Sequence, residues 1–167
     1  MKLATTNLTG WAGIGWLLIM LGNLTPAYAI DVFFTGKLVA PPPCIINGNN
    51  AISVDFGENI LIGRIDGVNY EQPINYTMDC SGAASTEQML MMAGDPFPSN
   101  PIFLATSKPG LGIKIKVNNN PGWPLNTFIN FTDPARPTLK AVLVRDSNVT
   151  LTGGAFTATA TLVVNYQ

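Results

Sequence analysis

The sequence predicts an all-β domain, a β-sandwich of immunoglobulin-like type. Three observations predict it. Apolar residues recur at every second position in several separate runs. Stretches rich in Pro, Gly and Asn punctuate those runs at short intervals. No window shows helical periodicity flanked by caps. With two cysteines and 167 residues, this pattern fits one sandwich and gives no sign of a second domain.

Residues 1–29 read as a secretory signal that is cleaved. Lys2 opens a short positive region, Ile14 to Leu21 is an apolar core, and Gly22 and Pro26 break it. Ala27-Tyr28-Ala29 then supplies the small-x-small cleavage pattern before Ile30. The competing reading, a membrane anchor, requires a span of ~20 apolar residues, and this run is shorter. The mature chain is therefore expected to be exported, with no membrane insertion.

Residues 30–40 follow as a separate N-terminal arm. Val32, Phe34, Gly36 and Leu38 fall on one face of it, and Pro41-Pro42-Pro43 cuts it off from the body at 41–167. A free apolar strand is an aggregation liability unless it pairs. It packs either on its own domain or on another chain.

Export places the two cysteines in an oxidising compartment. Cys44 and Cys80, 36 positions apart, then read most simply as one disulfide, with a pair of buried free thiols as the competing reading. Asn47 to Asn50 reads as a turn. Ile74, Tyr76, Met78 and Cys80 alternate with Asn75, Thr77 and Asp79 as one strand run. Met89, Leu90, Met91 and Met92 read as a buried strand whose irregular core is filled by adaptable methionines. Gly94 to Pro101 is turn-rich. Ile113, Ile115 and Val117 alternate with Lys114 and Lys116 as a further strand, and Asn118 to Pro124 and Thr132 to Pro137 are loops. Phe156, Ala158, Ala160, Leu162, Val164 and Tyr166 form one face of a last strand that begins near Phe156 and runs to Gln167.

Composition excludes several functions. The chain has no histidine, so neither Ser-His-Asp nor Cys-His machinery nor a histidine metal site can be built. It has no glycine-rich phosphate loop, and a net charge of -1 offers no footprint for nucleic acid. No cofactor is expected. Asp55 and Glu58 lie close together, as acid pairs on solvated turns do. Trp123 in the loop Asn118 to Pro124 is the candidate platform of a carbohydrate-binding module, against the plainer reading of a packed tryptophan.

These features together resemble a known family. The arm with Gly36, the PPPC stretch ending at Cys44, ISVDFG at Ile52 to Gly57, QPINYTMDC at Gln72 to Cys80 and GGAFTATATLVVNYQ at Gly153 to Gln167 resemble a chaperone-usher pilus subunit of Gram-negative bacteria. That family places a glycine fourteenth from the C-terminus and a tyrosine second, and Gly154 and Tyr166 stand there.

The resemblance implies an immunoglobulin-like fold that lacks its final strand and is not an enzyme. It implies that a periplasmic chaperone fills the gap first, and that the arm of the next subunit replaces it at an outer-membrane usher. Val32, Phe34, Gly36 and Leu38 would be the donor positions. Gly154, Phe156, Ala158, Ala160, Leu162, Val164, Tyr166 and Gln167 would form the groove strand that the chaperone binds, with the Gln167 carboxylate anchored by basic groups of the chaperone. Cys44 and Cys80 would lock the fold. The partners implied are the chaperone, the usher and neighbouring subunits of a head-to-tail surface fibre. An arm beginning two residues after the cleavage site, with PPPC and VDFG, looks more like a minor tip or adaptor subunit than the major rod subunit.

Overall fold

The computed structural model describes residues 30–38, 44–118 and 120–166. The predicted signal at 1–29, the triplet Pro41-Pro42-Pro43 and Gln167 lie outside the described residues. The chain divides into two units, Met1–Leu38 and Val39–Gln167. Of the first, the described stretch 30–38 carries no helix or strand, and Ile30, Val32, Phe33, Phe34 and Leu38 are exposed on it. The second unit is the sandwich.

Its strands in chain order are β1 (Ile45–Ile46), β2 (Gln72–Ile74), β3 (Met78–Asp79), β4 (Glu87–Gly94), β5 (Pro96–Phe97), β6 (Asn100–Ala105), β7 (Leu111–Val117), β8 (Ile129–Thr132), β9 (Leu139–Arg145) and β10 (Ala160–Tyr166). Five form one sheet in the order β2-β9-β7-β6-β5. Three form the facing sheet in the order β10-β4-β8, and β1 pairs with β3 alone. All of these pairings are antiparallel.

Alternation decides which side chains reach the core. In β7, Ile113, Ile115 and Val117 are buried while Lys114 and Lys116 are half-buried on the other face, as the sequence predicts. In β9, Leu139, Ala141 and Leu143 point the same way and join them in the core. Residues 120–127 then turn back on β7. The Trp123 amide donates to the Ile115 carbonyl at 2.7 Å, and Trp123 and Leu125 plug the core beside it.

Three expectations need correction. The run from Ile74 to Cys80 is two strands, not one. β2 pairs with β9, whereas β3 pairs with β1, so the chain changes sheets between them. The alternation nevertheless survives the crossing: Ile74 and Met78 are buried, and Asn75, Thr77 and Asp79 are exposed. The methionine stretch is only half buried. Gln88, Leu90 and Met92 face inward, and the pleat turns Met89 and Met91 to the outer face. The last strand starts at Ala160 rather than near Phe156, because residues 155–159 find no strand to pair with.

The outer face of the large sheet carries the main ion cluster. Lys116 on β7 stands directly opposite Lys140 on β9, a repulsive cross-strand pair. Glu71 lies between them, bonded to Lys116 and, at 2.7 Å, to Lys140. The Lys116 hydrogen bond, then that of Lys140, holds the Glu71 carboxyl below its ordinary range. A depressed folded value means the stabilisation is present above the unfolded pKa and is lost as pH falls through the folded one. Glu71→Gln should therefore lower the melting temperature at pH 7 and blunt the loss of stability on acidification below roughly pH 4.5. Thermal melts of both proteins across pH 3–7 check this, and parallel curves would remove the cluster from the acid response.

A candidate strand-receiving groove

The chain leaves β1 through a turn only certain residues can make. Asn47, Gly48 and Asn49 take φ of 48°, 57° and 64°, three successive left-handed positions that glycine and asparagine tolerate. The Asn47 side chain fixes the turn by donating to the carbonyls of Asn50 at 3.1 Å and Ala51 at 3.2 Å. The chain then enters the segment 51–57. Ile52, Val54 and Phe56 are half-buried and packed against the core, alternating with exposed Ala51, Ser53 and Asp55. That is the side-chain pattern of a strand, yet among the described residues no strand pairs with it. The segment ends at Gly57, whose φ of 83° suits a turn and whose amide donates to Asp55 Oδ1 at 2.8 Å.

Across from it lies β10. One edge pairs with β4 along its whole length, from Ala160 opposite Gly94 to Tyr166 opposite Gln88. Among the described residues no strand pairs with the other edge. Between this edge and the segment 51–57 is a cleft of about 1030 Å³. Its walls are Ile52, Val54 and Phe56 on one side and the stretch Phe156 to Val164 on the other. Its floor is the sandwich core itself, with Ile74, Met92, Leu104, Ile113, Ile115 and Ala141 drawn from both sheets. Not one lining residue is charged. At one end the rings of Phe56 and Phe156 meet across it with centroids 6.0 Å apart. At another point Cys44 lines it, and Cys44 is bonded to Cys80. The disulfide expected from the sequence is formed.

Such a site can do one thing well. Among the described residues, two extended segments without strand partners on their facing sides flank a cleft above the apolar core, so an extended strand laid between them would gain main-chain hydrogen bonds and bury alternate side chains. The cleft's polar lining is limited to asparagine and threonine side chains and to backbone.

The groove-strand residues expected from the sequence do not all play one part. Ala160, Leu162 and Val164 line the cleft from β10, and Phe156 and Ala158 line it from the stretch that precedes the strand. Ala158 is exposed at the groove and lies outside the strand proper. Gly154 belongs instead to a bend with φ of 119° beside a smaller cleft behind the Phe56–Phe156 pair. Tyr166 is the last described residue of β10. The opposite wall was missed as a set, although Ile52-x-Val54-x-Phe56 shows the alternation that would have found it. Trp123 cannot be a sugar-stacking platform. Only 3% of it is exposed, and its indole N–H donates to the Thr127 carbonyl at 2.9 Å.

Comparison with known proteins assigns this architecture. Residues 32–167 match the family model described as fimbrial protein. The chain belongs to the fimbrial protein family. Among its relatives, the chain is 34% identical over 151 residues to the uncharacterized fimbrial-like protein YfcR of Escherichia coli (strain K12), covering 88% of this chain and 86% of that one. Solved pilus subunits share the fold. The P pilus adaptor subunit PapF superposes with a TM-score of 0.56 at 24% identity, covering 77% of this chain and 98% of that one. The P pilus rod subunit PapA gives 0.60 at 21% identity, covering 82% and 99%. The fimbrial fold is thus an immunoglobulin-like pilin sandwich, and this family member is a structural protein rather than an enzyme.

Proposed function

We propose that this fimbrial protein polymerises by strand exchange through its groove. A periplasmic chaperone lends the first strand. At an outer-membrane usher, the arm of a neighbouring subunit, residues 30–40, replaces it. The observation that carries this reading is the open, uncharged groove between two strand edges, in a chain that also carries a spare row of alternating apolar residues.

The dimensions agree. Val32 to Leu38 extended spans ~20 Å, and the groove wall from Phe156 to Val164 spans ~26 Å at the same rise per residue. Val32, Phe34 and Leu38 would face the floor, with Gly36 in the same row and adding no side chain to it. Because arm and groove are different surfaces, the contact is heterologous and generates an open fibre. The signal at 1–29 delivers the chain to the periplasm, and the fibre carries it to the cell surface. The Gln167 carboxylate anchors the subunit to basic groups of the chaperone. An arm that starts two residues after the cleavage site supports a place as a minor tip or adaptor subunit.

Deletion of residues 32–38 separates donor from acceptor. The truncated chain should still co-purify with a co-expressed chaperone, because its groove is intact, but should no longer enter the groove of another subunit. Native gels of chaperone complexes mixed with the usher read this. A truncated chain that joins a fibre normally would remove the arm from the mechanism.

A further inference from the structure

A protein that exposes strand edges to pair with copies of itself must keep its remaining edges from doing the same. The large sheet has two such edges, β2 and β5. Each carries a proline, Pro73 in the middle of β2 and Pro96 at the start of β5, and both are exposed. Their orientation follows from the pairing. Pro73 stands opposite Lys140 in the ladder with β9. Having no N–H, it can occupy only the position whose N–H would point away from β9. At β5 the Asp95 carbonyl accepts from the Ala105 amide at 2.8 Å, so residue 95 faces β6 and Pro96 faces outward. On both edges the missing donor is therefore the one a second chain would need. Among the described residues no backbone hydrogen bond reaches the outer side of either strand. The other edges are short: β8 has four residues and is followed by Pro134 two positions on, and β1 and β3 pair over only two residues. Neither groove wall contains a proline, in 51–57 or in 155–166.

We infer that Pro73 and Pro96 confine self-pairing to the groove, so that second copies of this chain add end to end and never side by side. The inference rests on the strand-exchange reading, because only a chain that presents open edges to its own copies requires such protection. Threonine restores the donor at either site and favours extended backbone.

The test uses the mature chain and the double variant Pro73→Thr/Pro96→Thr, each saturated with a synthetic peptide of residues 30–40. Peptide binding is measured first, then mass by light scattering over a hundredfold concentration range. The native chain should stay at the mass of one chain with one peptide, and the variant should rise toward twice that mass. Equal masses for the two proteins would overturn the inference, as would doubling of the native complex. Should the peptide bind neither protein, the strand-exchange reading fails and the inference falls with it, an outcome distinct from equal masses of two peptide-filled proteins. If the double variant does not melt cooperatively, Pro73→Thr and Pro96→Thr are read singly by the same criteria.

Discussion

A synthetic peptide of residues 30–40, added in excess to the mature chain during refolding, should turn an aggregating product into a cooperatively melting complex of one chain with one peptide. The cause is the unfilled cleft above the core. Ile74, Met92, Leu104, Ile113, Ile115 and Ala141 form the floor of a cleft of about 1030 Å³ that none of the described residues fills. A sheet with an open core and a free edge associates with whatever offers a strand, and without a specific strand that is another copy in the wrong register. The peptide should compete by linkage. At a thousandfold excess over its dissociation constant it contributes ~4 kcal/mol. For a chain of this size that corresponds to a rise of roughly 10–15 °C in melting temperature. Phe34→Ala in the peptide removes the largest inward side chain, so binding should weaken on the order of a hundredfold. Light scattering and calorimetry read both effects. A mature chain that folds alone to a stable monomer, with a melt the peptide does not move, would mean that the core is closed in solution.

The groove was legible in the sequence on one side only. Leu162, Val164 and their neighbours announce themselves through an uninterrupted alternation at the end of the chain, and the family resemblance assigns them a role. The opposite wall shows a short alternation, Ile52 to Phe56, that marks its inward face, but its dependence on an absent partner leaves no trace in local pattern. Pairing is a long-range property. The same reason explains the run from Ile74 to Cys80, where unbroken alternation conceals a change of sheet. A period of two reports which face a side chain takes, not which neighbour the backbone has. Met89 and Met91 illustrate the complementary failure. Methionine is apolar enough to read as core, and only the register with Val163 and Asn165 shows that these two lie on the outer face. By contrast, the turn at Asn47 to Asn50 and the Cys44–Cys80 bridge follow from residue types with few other uses, and both are present.

Replacing both cysteines should cost more than global stability, because the disulfide holds a wall that has no ladder. Among the described residues the segment 51–57 has no strand partner, so its place depends on its ends. At the far end it has the Phe56–Phe156 contact and the Asp55–Gly57 turn. At the near end it has the two-residue pairing of β1 with β3, the Asn47 amide donating to the Thr77 carbonyl at 2.8 Å, and the Cys44–Cys80 bond beside them. Closing a loop of 36 positions restricts the unfolded chain by ~4 kcal/mol in the chain-entropy account. Domains of this kind have only about 5–15 kcal/mol in total. Cys44→Ser with Cys80→Ser should therefore lower the melting temperature of the peptide-filled chain by roughly 10 °C or more. The paired alanine variant separates the cost of burying hydroxyls from the loss of the bond. The second readout is capture of the arm peptide at a temperature well below either melt. If the bond positions the wall, capture should fall in both variants even where the fold is intact by circular dichroism. An unchanged melting temperature would remove the disulfide from the stability of the fold. Unchanged capture would mean that β1–β3 and the Asn47 to Asn50 turn position the wall unaided.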